Sequence, residues 1–178
     1  MNRGTGQLPN PGVRRRALHM IEVTVSMIIV SVILLTAMNM VGAAGQATRS
    51  MTDRGTGHLL AEHLMTEILA QAYKDPDEPT AELGTEGFEA VTKDRSYYDD
   101  VDDYDRWNAT PPESQDGATI PGYAGWRRQV DVDWVQPIDT ALIAVGDTGL
   151  KRIVVTVRRD NIVVAELRAL RADMGGAE

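Results

Sequence analysis

The chain has no cysteine and a single phenylalanine, and aromatic residues make up only 5% of its 178 positions. Without cysteine there is no disulfide framework, no thiolate metal site and no cysteine nucleophile. With so few rings, the core has to be built from Val, Ile, Leu and Ala. Basic charge is also scarce: 18 Lys and Arg stand against 26 Asp and Glu, for a net charge of −8 at pH 7. The first 17 residues hold four arginines and no acid, so a chain without them would carry −12. So acidic a product is a poor partner for nucleic acid or anionic lipid headgroups, both of which are polyanions.

The most informative absence is local, because no ionisable side chain stands between Glu22 and Arg49. The length suits one domain plus a segment outside its core. Residues 1–13, MNRGTGQLPNPGV, are rich in Gly, Pro and Asn, lack periodicity and read as disordered. Arg14, Arg15 and Arg16 follow, and a basic cluster beside an apolar span stays cytoplasmic, which sends the C-terminal end across the membrane. The run Val23–Ala44 is 22 residues. As a helix it reaches ~33 Å at ~1.5 Å per residue, enough for a hydrocarbon core of ~30 Å.

Four readings compete for this segment. A cleaved signal peptide could use Gly42-Ala43-Ala44-Gly45 as its site, although its apolar region is usually ~7–15 residues. A plain single-pass anchor needs only the length. A twin-arginine signal could start at Arg15-Arg16, but the following residues fit it poorly. A prepilin-type leader is the fourth. Glu22 separates them, because a carboxylate at the edge of a span is costly and neither an anchor nor a signal peptide gains from it. A cut after Ala17 would make Leu18 the new N-terminus, four residues from Glu22. Its cationic amine could then pair with the carboxylate of a neighbouring helix. Glu22 would also sit in the first helical turn, where the dipole favours negative charge by ~0.3–1 kcal/mol.

The stretch RRRALHMIEVTVSMIIVSVILL resembles the N-terminal motif of type IV pilins and type II secretion pseudopilins. Arg14–Arg16 match the basic end of the leader, Ala17 the residue before the cut, Leu18 the first mature residue and Glu22 the glutamate at mature position five. The family usually has glycine where this chain has Ala17, and phenylalanine where it has Leu18. His19 and Met20 replace the commoner Thr and Leu. The resemblance implies cleavage by a prepilin peptidase, N-methylation of Leu18 and assembly through Glu22. It implies other pilin or pseudopilin subunits and an inner-membrane assembly platform as partners, with exported protein as a further one. It places the chain in a bacterial inner membrane, N-terminus cytoplasmic and C-terminal domain periplasmic, before entry into a fibre. Some pseudopilins hold calcium in a loop, but those ligands do not align with this sequence, and no cofactor is expected beyond calcium as a candidate.

Past the span, Ala47, Met51, Leu60, Leu64, Ile68 and Ala72 recur at helical spacing, with Arg49, Asp53, Arg54, Glu62 and Glu67 on the other face. Glycine costs a helix about 1 kcal/mol relative to Ala. Gly42, Gly45, Gly55 and Gly57 therefore predict a bend or break near Gly55, and Pro76 and Pro79 predict an end near Tyr73 or Lys74. His58 and His63 are five apart and do not share a face as i, i+4 ligands would. Residues 75–120 are polar and acidic, and Asp99, Asp100, Asp102, Asp103 and Asp105 cluster within seven positions. Clustered carboxylates are candidate calcium ligands, but the EF-hand spacing is absent. The preferred reading is a solvated acidic loop anchored by Tyr98, Tyr104 and Trp107. Such a loop suits recognition of a protein partner, and its bulk suits a minor subunit better than a repeating shaft.

From Gly125 the period changes to two. Trp126, Val130, Val132 and Trp134 share one face, Ile153, Val155 and Val157 another, and Asp160-Asn161 is a two-residue turn before a return strand from Ile162 to Leu170. Pro137–Gly149 is a connector with its own apolar patch, Ala141–Val145. The expected fold is α+β, a long N-terminal helix whose second half covers a three-stranded antiparallel sheet. The divisions are a leader 1–17, an assembly helix 18–45, an amphipathic helix 46–74, an acidic variable region 75–124, a sheet 125–172 and a tail 173–178. A Trp in the first sheet strand, the KRIVVTVRR strand and a short final strand look most like I-type minor pseudopilins and V-type minor pilins. No enzymatic role is expected. The reading from another class is a membrane-anchored or secreted binding domain that uses the acidic loop.

Overall fold

The computed structural model describes residues 11–75, 83–85, 92 and 94–174, with side chains from Met20 onward. The first ten leader residues, Pro76, Pro79 and the Gly175-Gly176 tail lie outside the described residues. The chain divides into two compact units, Met1–Arg49 and Ser50–Glu178. Helix α1 is Pro11–Leu69. Pro11–Val13, expected to be disordered, instead open this helix. Proline is tolerated there because the N–H it lacks has no partner in a first turn.

In the first unit every side chain from Met20 to Arg49 is exposed, and its large apolar residues are 48% to 74% accessible. Burying one such side chain is worth ~1.5–3 kcal/mol, so this surface calls for lipid or other apolar helices. The segment is long and apolar enough to cross a membrane. Its hydroxyls return to the helix: Thr24 donates to the Ile21 carbonyl at 2.9 Å, Ser31 to Met27 at 2.7 Å and Thr36 to Val32 at 2.7 Å. These polar groups are thereby satisfied without water, as a hydrocarbon environment requires.

The second unit packs the last part of α1 on an antiparallel sheet in the order β1-β2-β3-β4. The strands are β1 Asn108–Ala109, β2 Trp126–Trp134, β3 Leu150–Arg159 and β4 Ile162–Ala172. Three of them follow from the sequence pattern. β1 does not, because two residues are too few to show a period. β4, expected as a short final strand, is the longest at 11 residues because it pairs along the whole of β3. The β3–β4 turn is Asp160-Asn161, with φ of 48° and 70°. Positive φ at both central residues matches the right-handed twist of the flanking strands. In register, Val130 faces Val155 and Val132 faces Ile153, while Val155 faces Leu167 in β4. Leu60, Ala61, Leu64, Met65 and Ile68 of α1 close over this face, and Tyr98, Val101 and Tyr104 complete the core. Met51, expected in the stripe, is 73% exposed, because the helix first meets the sheet at the Asp53–Arg159 pair and its first buried residue is Gly57.

Two expectations about the helix are corrected. Of the bend or break expected near Gly55, the break does not occur, since α1 runs unbroken through Gly55 and Gly57. Gly57 is instead a packing residue: a Cβ there would lie 2.7 Å from Val164 Cγ2 and 3.3 Å from Ala165 Cβ, so only glycine lets the helix come this close to β4. The helix also ends at Leu69, before Tyr73. Its last turn tightens, with the Gln71 amide on the Ile68 carbonyl at 3.1 Å. The chain then pairs with the acidic segment, the Ala72 amide donating to Asp99 O and the Val101 amide to Ala72 O, each at 3.1 Å.

Helix propensity alone makes Gly57→Leu stabilising, whereas the contact with Val164 makes it destabilising by about 1–3 kcal/mol through overpacking. A Cβ at Gly55 meets nothing within 4 Å, so Gly55→Ala should stabilise by about 0.5–1 kcal/mol. Thermal denaturation of the full chain in detergent should move in opposite directions for the two variants.

Candidate functional site

Two groups of residues carry chemistry. In the first unit, Arg14, Arg15, Arg16, Ala17 and Leu18 all lie on the helical backbone of α1. Glu22 follows Leu18 by four residues, one helical turn, and its side chain is exposed. Positions 18 and 22 therefore fall one turn apart on the same helix, whereas position 17, five residues before Glu22, does not share that face.

The second group is the acidic segment, and here the structure corrects the expectation of a solvated loop. Asp100, Asp102 and Asp103 are buried, Asp105 is half-buried, and of the five candidate ligands only Asp99 is exposed. Each buried carboxylate is directed inward. Asp100 Oδ1 accepts the Asp102 and Asp103 amides at 2.6 and 3.1 Å, and Asp103 Oδ2 accepts the Asp99 amide at 3.1 Å. Together they close the 3-10 turn Asp102–Tyr104. Asp105 Oδ1 accepts the Val132 amide at 3.0 Å and so pins the turn to β2. Asp102 lies 2.5 Å from the Lys151 ammonium, which is 1% exposed. Among the described residues no three His, Asp or Glu side chains come together as a metal ion would need. His58 and His63 are both exposed on α1, and His58 sits 3.3 Å from Glu62.

The turn is fastened by buried cations that the sequence pattern did not single out. Lys151 also donates to the Tyr73 carbonyl and lies 4.1 Å from the centre of the Tyr73 ring. Arg95, 2% exposed, donates to Glu67 at 2.8 Å and to the Glu113 carbonyl at 3.1 Å, with its guanidinium 4.2 Å from the centre of the Trp107 ring. Glu67, expected on the solvent face, is turned inward and also accepts the Tyr104 hydroxyl at 3.1 Å. Arg128 is fully buried 5.6 Å from the same ring and shares the Glu113 carbonyl. A signal for two of them existed: Lys151 is in phase with Ile153, Val155 and Val157, and Arg128 with Trp126, Val130 and Val132. A base in step with a core face is a buried base.

Burial sets the charge states. It raises the carboxyls of Asp100 and Asp105, and it pushes Asp102 up to about 6 despite the opposing pull of Lys151. Burial, together with the charge of Arg95, brings Arg128 down to about 10. Asp147 behaves in the opposite way. Burial raises it, but the Lys74 ammonium at 2.7 Å, the Tyr73 hydroxyl at 2.6 Å and the Gly149 amide at 2.8 Å outweigh that and hold it at about 2. These groups can fasten segments and store charge. A nucleophile poised beside a base is not among the contacts they make.

Comparison with protein-family models, with curated proteins and with solved structures returns no match for this chain. What can be said of its role therefore rests on the two groups above.

The shifted carboxyls predict a pH profile with two opposing limbs. Asp147, depressed in the fold, contributes stability above its unfolded value that is lost as pH falls from ~4 toward 2. Asp102, raised in the fold, binds its proton more tightly folded than unfolded, so its contribution falls as pH rises from ~4 to 6. Urea midpoints of the detergent-solubilised chain should therefore fall less between pH 4 and pH 2 in Asp147→Asn than in the parent. Asp102→Ala, which strands the buried Lys151 charge, should cost about 3–5 kcal/mol at pH 7.

Proposed function

We propose that this chain is a non-catalytic structural subunit of the pilin and pseudopilin kind, cut after Ala17 by a prepilin peptidase and methylated on the Leu18 amine. Its N-terminal helix first anchors it in the cytoplasmic membrane and then packs among the helices of other subunits in a fibre. The periplasmic unit would be carried on that fibre, which either moves exported protein outward or forms a pilus. The acidic, buried-charge domain suits a minor subunit, because its elaborations would crowd a repeating shaft.

The carrying observation is Glu22. It is the last ionisable residue before Arg49, on a helix whose apolar side chains are all exposed from Met20 to Val41. A plain anchor accounts for the apolar surface but has no use for the carboxylate. An assembling helix has one, since the new Leu18 amine of a neighbour supplies the matching charge. The layout of the second unit, a helix on an antiparallel sheet, supports the same reading. The rival reading of an acidic recognition loop loses its main feature, because most of that acid is inside the fold.

Intact-mass and N-terminal analysis of the protein purified from membranes of its source tests the proposal. The expected N-terminus is methylated Leu18. An intact Met1, or a start near Gly45, would overturn it. Glu22→Ala should still be processed but should enter fibres at least about tenfold less well, as loss of a charge pairing in a low-dielectric setting would cause.

A further inference from the structure

The connector between β2 and β3 has a feature that neither the fold nor the proposed assembly uses. Four large aliphatic side chains within eight residues point to solvent: Ile138 is 101% exposed, Leu142 57%, Ile143 63% and Val145 104%. A loop with this much apolar surface would ordinarily fold it inward or be left loose. This one is fixed outward. The Asp139 amide donates to Gln136 O at 3.1 Å, the Leu142 amide to Asp139 O at 3.0 Å and the Gln136 amide to Leu142 O at 3.0 Å. The Ala144 amide donates to Trp134 O at 2.8 Å, and Arg152 reaches up from β3 to the Thr140 carbonyl at 3.1 Å. At its far end Asp147 ties the loop to Tyr73 and Lys74, just past the end of α1. A rigid, pre-shaped apolar surface loses little freedom on binding, which is what a docking element requires.

The charge around the loop selects the kind of partner. From Gln136 to Gly149 the chain has two acids, Asp139 and Asp147, and no base or aromatic residue. Asp147 is held by Lys74, so Asp139 is the exposed acid beside Ile138. Arg152, which reaches the Thr140 carbonyl, is paired with Asp133 at 2.7 Å, so the loop's exposed charge is that of Asp139, and the loop itself lacks the Trp, Tyr, Lys or Arg that seat a segment at a membrane interface. Protein interfaces instead combine an apolar centre with a complementary charged rim. We propose that the 136–149 loop is a docking knob for a protein partner, one that presents an aliphatic-lined groove edged by Lys or Arg. The inference stands on the second unit alone and does not depend on processing at Ala17.

The test is made on the full chain in cells of its source, with a photoreactive benzophenone side chain in place of Ile138 or, separately, Val145. Both positions are fully exposed, so the replacement disturbs no packing. The expected result is one adduct of defined mass from either position, mapping on the partner to an aliphatic stretch with Lys or Arg beside it. Asp139→Asn keeps the oxygen that accepts the Ala141 amide at 3.0 Å but removes the charge. It should lower the adduct yield about threefold, in proportion to a lost rim charge. Leu142→Asp should abolish the adduct with an unchanged melting temperature. If Leu142→Asp lowers the melting temperature, the Asp139→Asn yield decides. Adducts with lipid only, adducts with a second copy of this chain only, no adduct from either position, or a yield indifferent to Asp139→Asn would each overturn the proposal.

Discussion

Lys151 is a full positive charge held at 1% exposure, within 2.5 Å of Asp102 and bonded to the Tyr73 carbonyl. A charge taken that far from water has to be matched, and much of the second unit follows from how it is matched. Asp102 must be brought in from the acidic segment, so the segment folds into the 3-10 turn that Asp100 and Asp103 cap. Tyr73 must present its carbonyl, so the chain leaves the helix after Leu69 and pairs with residues 99–101. Replacing the whole group by apolar residues would be near neutral for stability, whereas removing one member strands the other. The cluster thus fixes which way the acidic segment docks more than how tightly the fold holds.

The helix, the three long strands, their antiparallel order and the Asp160-Asn161 turn were legible in the sequence because each is written as a period or as a local turn preference. The apolar run was legible for the same reason. The acidic segment was not. Five aspartates among tyrosines read as solvated because composition reports the cost of burying a carboxylate but not the partner that removes it. Those partners, Lys151 and the amides of the turn itself, become neighbours only through the tertiary fold. Gly57 was misread in a related way. Intrinsic propensity marks glycine as a weak point in a helix, and only the position of Val164 shows that the missing Cβ is what the packing needs. Of the N-terminal group, the stacking of Leu18 and Glu22 one turn apart follows directly from helical geometry.

The two units satisfy opposite physical requirements. In the first, hydroxyls fold back on the helix and the apolar side chains face outward, which is stable only where water is excluded. In the second, the core side chains of α1 and the sheet face inward, and the buried charges of Arg95, Asp102 and Lys151 are paired. Glu22 follows from neither rule, since a carboxylate at the edge of an apolar surface gains nothing from lipid. It becomes favourable when a cation is delivered to it in the same apolar setting. Under the proposed processing, a cut before Leu18 would generate such a cation one turn away on every copy, and a copy's own amine and carboxylate need not be the pair that forms.

The exposed loop between β2 and β3 and the buried cluster share an anchor. Asp147 receives the Tyr73 hydroxyl, the Lys74 ammonium and the Gly149 amide, while the carbonyl of the same Tyr73 holds Lys151. The end of the helix, the acidic turn and the apolar loop therefore meet within a few residues. Burial raises Asp102 and hydrogen bonds depress Asp147, so both carboxylates remain charged and engaged above pH ~6. The loop and the acidic turn are thus held by two different charge pairs, Lys74–Asp147 and Lys151–Asp102, that meet on one residue, Tyr73.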